Sequence, residues 1–167
     1  MLRTYRTRRS HGVVIVKLKY QQEFLSQVEL DIQTLIELHW EEIALNQDKI
    51  KLNPDWDAYH NLETEGKLKI FTARDDDKLV GYFVVILGTN IHYKDHVFAS
   101  NDIIYLHKGY RKGFAGIRLI KFAEKCLKED SVSVLLINTK THKPFDKVLE
   151  RLEFKPIERE YSKFIGE

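Results

Sequence analysis

The chain has a single cysteine, Cys126, in 167 residues. No internal disulfide framework is possible, and the composition suits a reducing compartment. Net charge is nearly absent: 27 Lys and Arg stand against 25 Asp and Glu, leaving +2. That balance gives no global pull towards nucleic acid or a membrane surface. Long apolar runs are missing as well. The longest, Tyr82 to Leu87, falls far short of the roughly 20 residues a bilayer crossing needs. No apolar segment follows the Arg-rich start, so no secretory signal is expected. A soluble cytoplasmic protein is therefore expected, without a membrane partner. What remains is ordinary for a globular domain, with 43% apolar and 31% charged residues.

Arg3, Arg6, Arg8 and Arg9 sit in a start with little apolar content. Residues 1–12 are read as a basic, flexible tail, and 13–167 as one domain. A nucleic-acid role for the tail is not favoured, because no basic groove with interleaved aromatics follows it. Val13 to Leu18 reads as a first strand. Val28, Ile32, Leu35, Ile36, Trp40 and Ile43 recur at three- and four-residue steps, which predicts a long helix with that stripe inward. Asp55 is placed as the cap of a second helix over Trp56 to Leu62, ended by Gly66. Leu68 to Phe71 and Leu79 to Leu87 form a hairpin about the turn Asp75–Asp77. A polar loop with His92, Tyr93, Asp95 and His96 leads to a strand from Val97 to Leu106. A helix with Ile117, Ile120, Ala123 and Leu127 on one face follows, then a strand from Val132 to Ile137. Pro144 opens a further helix, and a last strand covers Pro156 to Ile165. The order predicts a mixed α/β (α+β) domain.

The most informative stretch is the turn from Lys108 to Gly116, which holds three of the chain's eight glycines. It joins a strand ending at Leu106 to a helix starting near Phe114. Unpaired N–H groups at a helix start, with the positive dipole end behind them, attract an anion. It is neither a P-loop nor the opening of a dinucleotide-binding unit.

Residues 102–120, DIIYLHKGYRKGFAGIRLI, resemble the cofactor-binding motif of the GNAT N-acetyltransferases. That motif is a strand, then Tyr-Arg, a Gly-rich turn, and a helix opening with small residues. The order of elements matches over roughly 13–165. Short acetyltransferases of bacteriophage type are the most similar, sharing a His-Tyr pair (His92, Tyr93) and an Asp before the strand end. One departure is clear. Phe114 stands where the usual pattern has glycine, so the glycines run Arg111-x-Gly113-x-x-Gly116.

The resemblance implies a central, mostly antiparallel mixed sheet splayed between the fourth and fifth strands, with helices on both faces. It implies acetyl-CoA as co-substrate, without a metal. The pantetheine arm would lie along Tyr105, Leu106 and His107. The pyrophosphate would lie on Arg111, Lys112, Gly113, Phe114, Ala115 and Gly116, with Asn138 on the facing strand. An amine acceptor, small or on a protein, would be acetylated by direct attack. Asp102 is the favoured base, with His92 and His107 the other candidates (His107 nearer the cofactor); the acid is Tyr161 or water, or the thiolate leaves without help. Acceptor contacts are expected from His39, Glu42, Tyr59 and Tyr93. Cys126 reads as a small buried hydrophobe, and His92-x-x-x-His96 lacks further metal-binding partners. The alternative is a GNAT-fold module without strong catalysis, such as a viral protein engaging a host factor. A homodimer is compatible with either.

Overall fold

A computed structural model describes residues 17–166 of the chain. The predicted Val13–Leu18 strand and the basic tail lie largely or wholly outside them. The first described strand is β1, Lys19–Glu23, and α1, Leu25–Ile43, follows it. Two side chains hold the start of α1. Gln27 accepts from the Phe24 N–H at 2.9 Å, and the Glu63 carboxylate accepts from the Leu25 N–H at 2.6 Å. Both satisfy amides that have no partner within the helix.

The second helix, α2 (Trp56–Thr64), begins as its sequence predicts, with Asp55 accepting from the Ala58 N–H at 2.9 Å. It ends at Gly66, whose φ of 71° is the left-handed conformation that glycine adopts without strain. The Lys67 N–H then reaches back to the Leu62 carbonyl at 2.8 Å.

Three further strands are β2 (Leu68–Asp75), β3 (Lys78–Asn90) and β4 (Tyr93–Leu106). After them come α3 (Ala115–Glu129), β5 (Val134–Leu136) and α4 (Asp146–Arg151). The sheet runs β1-β2-β3-β4-β5, antiparallel except for the parallel β4–β5 pair. One face packs Tyr82, Val84 and Tyr105 against Val28, Ile32, Leu35 and Ile36 of α1. The other packs Phe71, Phe83, Val85 and Ala99 against Leu119, Ala123 and Leu127 of α3. Helices thus cover both faces.

Four sequence expectations need correction. The polar stretch around His92–His96 is not a loop, because β3 and β4 pair out to Asn90 and Tyr93 and only a short turn lies between. The inward stripe of α1 takes in His39 and leaves Trp40 half-buried, since Tyr82 offers the imidazole a partner. On α3 it is Leu119, with Ile120, Ala123 and Leu127, that is buried, while Ile117 is only half so. Pro156–Ile165 forms no strand: its residues pair with no strand among the described ones, and Ile157, Tyr161 and Ile165 stay exposed. Its alternation of apolar and charged residues is strand-like, but a strand needs an edge in register.

Candidate active site

The site follows from how β4 leaves the sheet. β4 and β5 pair only through Phe98–Val134, Ala99–Leu135 and Ser100–Leu136. One residue further, the join changes from main chain to side chain, as the Asn138 N–H donates to Asn101 Oδ1 at 2.5 Å. Beyond that point the two strands diverge.

On the other side, Val85 faces Asn101 while Val84 faces Ile103, so Asp102 is an extra residue in the ladder, a β-bulge. A bulge bends the strand and turns a side chain that the ladder would otherwise direct elsewhere. Here it places the Asp102 carboxylate beside α2, where the Tyr59 hydroxyl donates to Oδ2. Burial, then the hydrogen bond to Asp102, raises the Tyr59 pKa, so Tyr59 stays protonated and remains a donor.

The register also settles which main-chain groups line the cleft. The His107 N–H donates to the Val80 carbonyl at 2.8 Å. Alternation in an antiparallel ladder then turns the N–H and C=O of Leu106 and Ile104 away from β3, towards the divergence. Opposite Leu106 stands Gly81, where a Cβ would meet Leu106 Cδ1 at 2.7 Å and the Tyr105 carbonyl at 2.9 Å. Only glycine allows that approach of the two strands.

After Leu106 the chain makes a short 3₁₀ turn, Lys108–Tyr110, with His107 Nδ1 accepting from the Gly109 N–H at 3.2 Å. Gly113 has φ 72°, again the left-handed region. The first helical bond of α3 runs from the Arg118 N–H to the Phe114 carbonyl. Among the described residues the N–H groups of 112–117 find no backbone or side-chain acceptor. They form an anion-attracting rim at a helix N-terminus. Gly116 lies beside it with room for a Cβ, whose nearest neighbour would be Leu106 Cδ2 at 4.0 Å. Nothing among the described residues requires glycine there, whereas a group lying close against the backbone would.

A stack of three planar groups faces α1. The His39 ring lies on Tyr105, centroids 4.8 Å apart, and the Arg111 guanidinium lies over the same tyrosine at 5.2 Å. Arg111 binds both oxygens of Glu42 at 2.6 and 2.7 Å, and its Nε donates to the Leu106 carbonyl at 2.6 Å. These bonds hold the Glu42 carboxyl below the usual carboxylate range. Burial pushes His39 down to about 4, against the pull of Glu42, so the ring is neutral at pH 7. Its Nδ1 lies 2.8 Å from the Tyr82 hydroxyl, which has no other partner among the described residues. The two groups share one hydrogen bond, with the hydroxyl able to donate to or accept from Nδ1 according to the tautomer.

The structure brings together Asp102, Tyr59, Tyr105, Leu106, His107, the Arg111–Gly116 turn, His39, Glu42 and Asn138. Two candidates fall elsewhere, and a third is left exposed. His92 and Tyr93 lie at the tip of the β3–β4 hairpin, roughly 30 Å along the strand from Asp102 at about 3.3 Å per residue. Tyr93 stacks there on Phe98. Tyr161 is 86% exposed in the unpaired C-terminal segment. Tyr82 and the outward N–H of Leu106 belong to the site or its support, and the bulge that turns Asp102 inward went unpredicted. Cys126 is half-buried on α3, and burial raises its thiol pKa. His96 contacts Ser133 at 3.0 Å. Among the described residues no three His, Cys, Asp or Glu side chains converge on a metal position, and no helix is long and apolar enough to cross a membrane.

The arrangement is the GNAT fold. Its likeness to solved structures extends over most of the chain. An aminoglycoside acetyltransferase from an uncultured soil metagenomic sample, in complex with sisomicin, superposes with a TM-score of 0.68 at 14% identity. That match covers 90% of this chain and 95% of the other. A ribosomal-protein-alanine N-acetyltransferase from Brucella melitensis biovar Abortus 2308 matches at 0.61 and 18%, covering 90% and 99%. A predicted acetyltransferase with acetyl-CoA from Clostridium acetobutylicum matches at 0.66 and 11%, covering 89% and 97%. At such identities the likeness is one of fold. No family model and no curated protein sequence matches the chain.

Proposed function

We propose that the protein is an acetyl-CoA-dependent N-acetyltransferase acting on a primary amine by direct attack. One observation carries this reading: the bulge carboxylate, the open edge of β4 and the amide rim before α3 converge on the point where β4 and β5 part. Acetyl-CoA supplies an activated thioester. The residues fit it: the 112–117 amides suit a pyrophosphate, Gly116 leaves space beside the backbone, and the edge at Ile104 and Leu106 suits an amide-bearing arm.

In this reading the Leu106 N–H steadies the oxygen on which negative charge develops. Such a donor is typically worth about 2.7–4 kcal/mol. Asp102 takes the proton of the attacking amine through the oxygen that Tyr59 does not occupy. The departing thiolate takes up a proton from water, as the Tyr161 side chain is 86% exposed. Sisomicin in the metagenomic enzyme and the ribosomal protein of the Brucella enzyme's name both point to amine acceptors. The reading places the protein in the cytoplasm, which suits its lone cysteine.

Acetyl-CoA at a hundred times its Kd is expected to stabilise the protein by about 2.7 kcal/mol, read as a rise of several degrees in thermal midpoint. Arg111→Glu should abolish that rise, because it sets a second carboxylate beside Glu42 and repels phosphate. A midpoint indifferent to millimolar acetyl-CoA would refute the assignment.

A further inference from the structure

Arg111 stands where the turn before α3, the open edge of β4 and the last turn of α1 meet. Its Nε occupies the Leu106 carbonyl, an oxygen that the register turns towards the cleft. An extended arm that pairs with this strand edge needs the same oxygen. The guanidinium is also held on both nitrogens by Glu42 and lies over Tyr105. A planar fork bound at three points cannot release one of them without pivoting off the others. We propose that the Arg111–Glu42 pair is a latch on the β4 edge, which a coenzyme A arm must open in order to bind. The inference rests on the acetyl-CoA reading above and adds a means by which that site is regulated.

Opening the latch has a second effect. It leaves the Glu42 carboxylate beside the neutral His39 and the face of Tyr105, an environment that suits an ammonium group. Lys140 and Lys143, in the loop after β5, are the other cations felt by this group. The acceptor amine therefore gains Glu42 as a second counter-charge, beside Asp102, only after the arm has displaced Arg111, which favours binding with cofactor first.

The latch can be tested without knowing the acceptor. Calorimetric titration of the full chain with coenzyme A, and separately with 3′,5′-ADP (which lacks the arm), is compared across variants. Glu42→Gln should bind coenzyme A about two- to fivefold more tightly, the range expected when a partly exposed ion pair is removed. Its affinity for 3′,5′-ADP should not change. Glu41→Gln makes the same change of charge at an exposed neighbour on α1 and should leave both affinities alone. Arg111→Lys keeps the charge but loses the fork, so it should tighten coenzyme A binding too, and it serves if Glu42→Gln misfolds. Equal or weaker coenzyme A binding by both variants overturns the latch. So does tightening shared by 3′,5′-ADP or by Glu41→Gln, since that is a field effect. A wild-type protein that binds no coenzyme A overturns the parent reading as well, whereas normal wild-type binding with unmoved variants overturns the latch alone.

Discussion

Asp102→Asn is expected to lower amine acetylation by about 10²–10⁴-fold, the usual worth of a positioned general base. Acetyl-CoA binding should stay near wild type. Asparagine has the same shape, and its side-chain oxygen can still accept from Tyr59, so the bulge and the contact with α2 are kept. What it lacks is the capacity to take a proton from an ammonium. The measurement is release of coenzyme A thiol across a panel of primary amines, run beside a thermal-shift titration with acetyl-CoA. Full turnover by the variant would remove Asp102 from the mechanism. A parallel loss of the thermal shift would show that the substitution had damaged the cleft rather than the chemistry.

Glu23→Ala is expected to cost about 1.5–3 kcal/mol of stability, read as a lower denaturation midpoint in urea. Glu23 and Arg74 form a buried ion pair, each side chain 10% exposed, with bonds of 2.9 and 3.0 Å. Thr72 also donates to Glu23. Arg74 goes on to Asp31 of α1 at 2.8 Å and to the Asp77 carbonyl at 2.6 Å. Removing Glu23 leaves Arg74 with Asp31 and the Asp77 carbonyl, so the magnitude is that of the lost charge-assisted hydrogen bonds rather than of a stranded charge. Burial alone would raise the Glu23 pKa, but the hydrogen bonds from Arg74, Thr72 and Gln21 outweigh it and the net shift is downward. A carboxylate with a lowered folded-state pKa adds stability above its unfolded value, and loses it as pH falls through the folded one. Wild type should therefore lose stability on the acid side more steeply than Glu23→Ala. A variant with an unchanged acid limb would argue against the assignment.

Elements with a period of their own could be read from the chain. The α1 stripe, the Asp55 cap, the Gly66 stop, the hairpin about Asp76 and the glycine turn before α3 each depend on neighbours within a few residues. Features decided across the sheet could not. Trp40 outranks His39 on any hydrophobic scale, but the imidazole goes inside because Tyr82, 43 positions away, waits with a hydroxyl. His92 has a suitable ring for a base, and only the length of the β3–β4 pairing carries it away from the splay. Pro156–Ile165 has strand composition but meets no strand among the described residues. Glu42 reads as a surface acid until Arg111, 69 positions on, is found against it. The resemblance in residues 102–120 pointed to the strand, turn and helix start that the fold brings to the parting of β4 and β5.

The bulge at Asp102 could be closed by removing one residue. Asn101 already faces Val85 and Ile103 already faces Val84, so the ladder would run without interruption if residue 102 were absent. Every neighbour would keep its partner and its face. The carboxylate thus resembles an insertion into a finished strand, a graft that left the surrounding scaffold in place. Deleting Asp102 outright is then expected to hold or raise the thermal midpoint while ending acetyl transfer, which makes the chain without it a natural blank for any assay of the chain with it.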